Sequence, residues 1–463
     1  MMVFRRLSPP LKSTPGHLLA LALSVACWPA LAQTSSALQA ANPDAPSTGI
    51  PLALPPTGSA APQDRPADLA QAREIWQRAN ERVAEFPRGH VDLLRWEAKN
   101  PGDATPVTGG NAHPAPLDLA QALRLSLRQR PDLFTRADMN AVEKAAVQVE
   151  YARHVREVQR TWIDAVSARQ SWRHAREVWD ATRTGSELGR RMVVAGNWSQ
   201  AKLMREQLTQ ASAWQMAVDA QSAALQSQER LAQMLGLWDA EAVSQMGERL
   251  PANLPAVPAR PTPGEGITPA TLESAVLRGH PLLDLQRTRT QRELVAVSPG
   301  SRAAWTAAVD AALAAMPEPG ATATPPHIAN LPLLRDHPLE RAIEAESALL
   351  RAASERRSMA RQAWANLQAR HASAVHAQNV VAQLQAALEQ ETLLRYNGML
   401  QSSWDLLASA RERMQSLDAA SQARRDFWLA QADLQALLSG ADYASPDPSS
   451  QAGTGAAKAP AGH

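Results

Sequence analysis

Histidine, cysteine and paired carboxylates are the side chains best able to bind metals or move protons, and their spacing in this chain favours neither chemistry. The 11 histidines are scattered over 463 residues. His371 and His376 share one helical stretch, but a step of five turns them onto different faces, so they do not form a ligand pair. The sequence has no H-E-x-x-H, no glycine loop to cradle phosphate and no G-x-S-x-G. Asp, Glu and Arg alternate along helical segments in the manner of a solvated face. Trp162 in RTWIDAVSARQ and Trp364 in RQAWANLQARH occupy nearly matching places, which suits seam packing better than substrate contact. The expectation is a protein that is not an enzyme, with no catalytic residues, no cofactor and no metal site.

The elements that carry these residues belong to an exported chain. Arg5, Arg6 and Lys12 precede the apolar run LLALALSVACWPA, and Ala30-Leu31-Ala32 has the form of an A-x-A cleavage site, so residues 1–32 read as a signal peptide. The single cysteine, Cys27, lies inside it, which leaves no thiol in the mature chain for a disulfide or a thiolate metal site. A lipid-anchoring role for Cys27 stays open, although Ser24 stands where a large aliphatic residue is expected. Of 47 Lys+Arg and 45 Asp+Glu the signal holds three basic and no acidic residues, leaving 44 against 45 and a formal charge of −1. Nucleic acid is therefore not an expected partner. No later run approaches the roughly 20 apolar residues of a membrane helix, so entry into a membrane would need strands or an anchor.

Only 4% of the residues are aromatic, and the long segments are rich in alanine, which fits close-packed elongated helices better than a large globular core. Residues 33–66 form a Pro/Ala/Ser-rich leader, and 67–86 read as an amphipathic helix inside an N-terminal helix-and-loop region, 67–116. Residues 441–463 read as a disordered tail.

Between these ends lies a duplication. LDLAQALRLSLRQRPDLF (117–134) resembles ITPATLESAVLRGHPLLD (267–284), aligning Arg130-Pro131 with His280-Pro281 at an offset of 150. RLAQMLGL (230–237) resembles DLQALLSG (433–440) at an offset of 203, so the second copy is longer by 53 residues. The repeats span 117–238 and 271–440, joined by a Pro-rich linker, 239–270, whose prolines are expected to keep the repeats apart. In each, a short helix stops before an X-Pro pair. A long helix follows, near 137–195 or 340–396, then a break containing Gly196 or Gly398, then a second long helix. Nearly 60 residues give roughly 85 Å of helix at 1.5 Å per residue. Trp214, Val218, Gln221, Leu225, Gln228, Ala232 and Leu235 step by 4 and 3, as do Leu407, Ala410, Met414 and Leu417, which predicts narrow supercoiled seams. A left-handed glycine cap is expected at each break.

The 53 additional residues lie between Pro281 and the helix starting near Leu339. They supply two candidate strands, 303–316 and 327–334. Trp305, Ala307, Val309, Ala311 and Leu313 alternate as barrel residues would, while the same alanine content also suits a helix.

In order and spacing, ALRLSLRQRPDL, SAVLRGHPLL, LPLLRDHPLERAIEAE and RYNGMLQSSWDLLASARE resemble the outer-membrane efflux proteins of the TolC-like family over residues 117–440, and the last two are most similar to the metal-efflux branch. The resemblance implies a mainly α fold, with two repeats of long antiparallel coiled-coil helices forming an α-barrel as a homotrimer. It also implies a reduced β-hairpin contribution to a barrel in outer-membrane lipid, with the helices extending into the periplasm. The partners implied are a periplasmic adaptor (membrane fusion) protein and an inner-membrane efflux pump. The function implied is a passive exit duct, with metal ions or small toxic compounds as substrates. Carried onto this chain, the adaptor-docking tips are Arg191, Gly196, Ser199 and Leu203 in the first copy and Arg395, Tyr396, Gly398, Asp405 and Leu406 in the second. Lys202 stands near where the second tip has Asp405, so the tips differ in charge.

One departure is serious. Only DLFTRADMNA separates Pro131 from helix-like sequence, too little for two strands of about 10 residues. Three protomers with one hairpin each would supply about six strands, against roughly eight in the smallest membrane barrels. The alternative is a periplasmic coiled-coil structural or adaptor-like protein of this descent without a functional pore.

Overall fold

The computed structural model describes residues 116–316, 325–328 and 337–443. The expected signal, leader, helix over 67–86 and most of the tail lie outside the described residues, as does most of the second candidate strand.

Ten α-helices account for most of the described chain. They are α1 (Leu119–Arg128), α2 (Ala141–Val194), α3 (Gln200–Leu235), α4 (Ala240–Arg249) and α5 (Leu272–Gly279), followed by α6 (Pro281–Val295), α7 (Pro299–Ala314), α8 (Pro338–His376), α9 (Ala382–Asn397) and α10 (Ser403–Leu438). A five-residue π-helical turn, Ala377–Val381, joins α8 to α9. No β-strand occurs among the described residues, apart from a single bridge between Gly264 and Ile267.

The 54 residues of α2 run for roughly 80 Å at 1.5 Å each. Asn140 starts the helix through a capping box: its Oδ1 accepts from the N–H groups of Val142 and Glu143, and Glu143 returns a carboxylate to the Asn140 N–H at 2.8 Å. Straight-chain Glu, Gln and Arg with alanine then sustain it.

Helix α2 is flanked by α3 on one side and α10 on the other, and α10 packs in turn against α8 and α9. The interfaces are narrow because the side chains buried in them are small: Ala145, Ala152, Ala165, Ala213, Ala217, Ala360, Ala363, Ala374, Ala420 and Ala430 are all buried. The buried seam of α10 runs through Ser409, Ser416, Ala420, Phe427, Ala430, Leu434 and Leu437. The expected stripe through Leu407, Ala410, Met414 and Leu417 therefore lies to one side of the true seam, and Leu417 is exposed. Gln228, expected in a shared or wet seam, donates to the Val243 carbonyl at 3.0 Å and holds α4 in place.

Register between α2 and α10 is fixed by ions. Asp433, buried, accepts from Arg160 (2.9 Å) and forms an ion pair with Arg156 (3.0 Å), and Arg425 meets Asp164 at 2.7 Å. A buried carboxylate is costly unless paired, so two guanidiniums on adjacent turns of α2 leave Asp433 one acceptable register.

Two expectations need correcting. The first candidate strand, 303–316, is helix: Ser298 caps α7 by accepting from Ser301 N–H and Pro299 occupies its first turn. These start signals, with eight alanines in 303–316, outweigh the alternation. The linker does not hold the repeats apart. From the last turn of α4 onward it runs as a strap whose carbonyls accept hydrogen bonds from three neighbouring long helices. Arg169 of α2 reaches Gly247 and Leu250, Arg173 reaches Ala252, Trp428 of α10 reaches Pro255 at 3.0 Å, and His371 of α8 meets Pro258 at 2.8 Å.

The two long-helix pairs end alike. Helix α3 stops at Gly236 against Gln129, after α1, and α10 stops at Leu438 against Gly279, the end of α5. Beyond the second junction α6 packs between α2 and α8, a place with no counterpart in the first copy. The longer second repeat is thus spent, in its described part, on α6 and α7.

Candidate functional site at the two helix reversals

The expected tip residues fall at the reversals from α2 to α3 and from α9 to α10. After α2 the cap residue Ala195 is helical, Gly196 is left-handed (φ +78°), and Asn197 N–H bonds back to Met192 O at 2.9 Å while Gly196 N–H reaches Val193 O at 3.0 Å. This double bond pattern is the Schellman closure. After α9 the same closure forms 203 residues later: Gly398 is the helical cap residue (φ −80°), Met399 is left-handed (φ +58°), Leu400 N–H bonds to Arg395 O at 2.8 Å, and Met399 N–H to Tyr396 O at 2.9 Å.

Gly398 therefore does not take the left-handed position expected of it. The structural partner of Gly196 is Met399, and the partner of Gly398 is Ala195. A methionine at positive φ costs roughly 1 kcal/mol that glycine would not.

Both following helices begin at a serine. Ser199 accepts from Lys202 N–H at 3.4 Å, and Ser402 from Asp405 N–H at 3.3 Å. Only the second reversal completes the box, with Asp405 accepting from the Ser402 N–H at 3.0 Å and from its hydroxyl at 2.8 Å. Those two bonds from Ser402 hold the Asp405 carboxyl below the usual carboxylate range. Lys202, in the matching place, has no acceptor to return. Asp405 is thus engaged in capping. Arg191 and Arg395 each pair four residues back, with Glu187 and Glu391, both at 2.9 Å. Such exposed pairs contribute about 0.5 kcal/mol at most and leave both arginines accessible.

A feature not anticipated from sequence ties the reversals together. Trp198, preceding α3, stacks on Trp404 of α10 with centroids 4.0 Å apart. Beneath them Gly185 and Gly189 make one flat face of α2. A Cβ at Gly189 would lie 3.0 Å from Trp198, 3.3 Å from Leu203 and 3.4 Å from Trp404. Leu203, an expected tip residue, is buried here as a wedge rather than displayed. Nearby Arg411 of α10 grips Glu206 of α3 at 2.6 Å, both largely buried. The spacing of Gly185 and Gly189 by four inside a helix was the readable signal, since an interior glycine costs roughly 0.5–1 kcal/mol and calls for close packing. Above the tryptophans, α2, α3 and α10 enclose a groove of 490 Å³ lined by Val178, Thr182, Leu208, Met216, Arg411 and Gln415.

The displayed tip is apolar. Met399 is 90% exposed and Leu400 79%. Tyr396 and Leu406 are half-buried. His371 and His376 do not meet: the first bonds to the linker and the second is the last residue of α8. Trp162 is buried and donates to the Leu117 carbonyl at 3.0 Å, as its seam reading required.

No family model and no curated protein matches the chain. Among solved structures it is similar to the outer-membrane channel OprN (16% identity, 70% of this chain and 73% of that one, TM-score 0.46). It is also similar to CusC (13%, 81% and 92%, 0.43) and to the outer-membrane protein VceC of Vibrio cholerae (13%, 70% and 75%, 0.41). With every identity below 20% and every TM-score below 0.5, none of these likenesses decides what this chain does.

Proposed function

We infer that the chain is the outer-membrane component of a tripartite efflux system, a passive exit duct built as a homotrimer whose helices extend into the periplasm. The observation that carries this reading is a pair of unsatisfied edges. At one edge of the long-helix layer α3 exposes Met204, Leu208 and Met216, and at the other α9 exposes Leu384 and Leu388, preceded by Val381 of the π turn. Leu208 is 71% exposed and Leu384 65%. Two different apolar edges on one chain suit a head-to-tail ring of identical copies, in which each α9 lies on the next copy's α3. The ordered sequence resemblance supports three copies. The exposed Met399 and Leu400, with Arg191 and Arg395 beside them, supply a surface for a periplasmic adaptor, and an inner-membrane pump would set selectivity. Metal ions or small toxic compounds are the substrate classes in keeping with the resemblance.

A second reading has its own support. The candidate strand over 303–316 is helical and the first repeat has no room for a hairpin, which favours a periplasmic coiled-coil protein of the same descent without a pore. Cysteines at Leu208 and Leu384 should form a covalent ladder ending at three chains in the duct, and the purified protein should conduct in a planar bilayer. Monomers without a ladder would overturn the ring; a trimer that does not conduct would favour the second reading.

A further inference from the structure

The helices that lengthen the second copy, α6 and α7, stand at the opposite end of the molecule from the reversals. Helix α10 stops where α6 begins, with Gly440 close against Pro281, and α6 continues its row between α2 and the opening turns of α8. There the Thr290 hydroxyl donates to the Ala345 carbonyl at 3.2 Å, and Arg341 pairs with Glu293 at 3.3 Å. Arg302 of α7 then pairs with Glu346 of α8 at 2.6 Å, which leaves roughly 75 Å of helix between this end and the second reversal at 1.5 Å per residue.

Neither helix is enclosed by the rest of the described chain. The face of α6 turned away from its neighbours carries Leu282, Leu285, Arg289, Arg292 and Ala296 at steps of 3 and 4, with Val295, 88% exposed, beside them. No carboxylate lies on that face. Asp284 pairs with Arg287 and Glu293 with Arg341, while Arg289 and Arg292 have no acceptor among the described residues. Helix α7 buries no residue at all, and from Ala303 to Met316 the only charge is Asp310. Half-buried Trp305 lies over a 270 Å³ cleft lined by Leu294, Val297, Leu339 and Ile343; further along, Leu313 and Met316 are exposed.

We propose that α6 and α7 form an interfacial anchor that lies on the surface of an anionic bilayer. No helix among the described residues is long and apolar enough to cross a membrane, so the contact runs along the surface and not through it. Charge selects lipid as the occupant: arginines interleaved with leucines, and no carboxylate among them, place guanidiniums at headgroup phosphates while the apolar side chains sink below. Trp305 has the apolar body and polar N–H that suit the same layer. A neighbouring copy does not account for this face, because α6 lies between α2 and α8 and not at either edge of the row that a ring would cover. That this end meets the outer membrane rests on the duct reading; the affinity for lipid does not.

Vesicles of phosphatidylethanolamine and phosphatidylglycerol test the anchor in the full chain, with Cys27→Ala removing the lipid-anchoring route that the sequence leaves open. An environment-sensitive fluorophore on Leu313→Cys should shift to the blue when vesicles are added, and one on Thr184→Cys of α2 should not. Arg289→Gln combined with Arg292→Gln should lower vesicle affinity about tenfold, and so should raising the salt to about 0.5 M. A Leu313 label that stays in water would overturn the anchor whether or not the double variant folds, as would a folded double variant that binds as tightly as the parent. A blue shift that grows with protein concentration in the absence of vesicles would assign α7 to a second copy and overturn it too. Cross-linking through cysteines at Leu208 and Leu384 separates the two readings. A lipid-bound Leu313 label in a chain that forms no ladder keeps the anchor and counts against the duct alone, whereas a conducting trimer whose Leu313 label stays in water does the reverse.

Discussion

The two junctions where a long helix pair meets its short helix both close on a glycine, but opposite partners carry it. In the first copy the glycine is Gly236, after α3, and it faces the Gln129 side chain, after α1. In the second the glycine is Gly279, at the end of α5, and it faces the main-chain carbonyl of Leu438 at the end of α10. Charge is exchanged as well. Arg130 precedes the first proline and bears on buried His154 of α2, whereas His280 precedes the second and buried Arg356 of α8 bears on it. Both imidazoles are pushed down, first by burial and then by the neighbouring guanidinium. A glycine makes room at each junction, for the Gln129 side chain in the first and for the Leu438 main-chain carbonyl in the second, and an imidazole meets a guanidinium at both. What the repeat preserves is the close approach and the charge pairing, carried by different helices in the two copies.

The largest test of this exchange is Gly279→Ala. Its Cβ would stand 2.0 Å from the Leu438 carbonyl oxygen, which cannot rotate away, so a loss of about 3 kcal/mol in urea unfolding is expected. Gly236→Ala meets the flexible Gln129 side chain, 2.6 Å away, and should cost about half as much, mainly through its φ of +72°. Equal losses at both sites would break the comparison. Next comes Trp404→Ala, which removes half of the stack that joins both reversals; about 2 kcal/mol and the loss of exciton-coupled near-ultraviolet dichroism are expected. A signal that survives the change would place the coupling elsewhere.

His280 gives a pH test. Its Nδ1 accepts from Leu283 N–H at 3.1 Å, so protonation removes the cap of α6. Because its folded value is depressed, the unfolded chain takes the proton first; this contribution to stability is complete above about pH 6.5 and is lost as pH falls through the folded value. His280→Asn keeps an acceptor and should flatten part of that acid slope, leaving the share that belongs to His154. A slope that steepens would refute the assignment.

The smallest effects separate the reversals. Met399→Gly should gain about 0.5 kcal/mol, relief of the left-handed strain offset by chain entropy, while Gly196→Ala should lose about 1 kcal/mol and Gly398→Ala almost nothing. Thermal melts that instead show Gly398→Ala to be the costly change would restore the one-residue-shifted pairing.

That shift shows what the sequence could and could not reveal. The long helices, their breaks and the duplication were legible, because helix formers persist for tens of residues and the serine caps and glycines punctuate them. The left-handed residue was misassigned because glycine is the ordinary choice there, and nothing local marks Met399 as bearing the strain. The helical α7 was readable from Ser298-Pro299, yet alanine alternates equally well in a strand. Trp198 and Trp404 escaped notice because they do not match in the repeat: their counterparts by offset are Gln401 and Ala201. They meet only through the glycine face of α2. The π turn left a trace in the sequence, the change of offset from 202 at Trp162 and Trp364 to 203 at Ser199 and Ser402, which is visible only when both flanks are aligned separately.

The strap between the repeats has a consequence for how the chain tolerates change. Arginine, tryptophan and histidine from three helices read its backbone oxygens, and proline offers that oxygen with no N–H left to satisfy. Such a tether is indifferent to most side chains and sensitive to length. Residues 255–262 should accept wholesale replacement by another proline-rich segment of equal span, yet fail on losing even two residues.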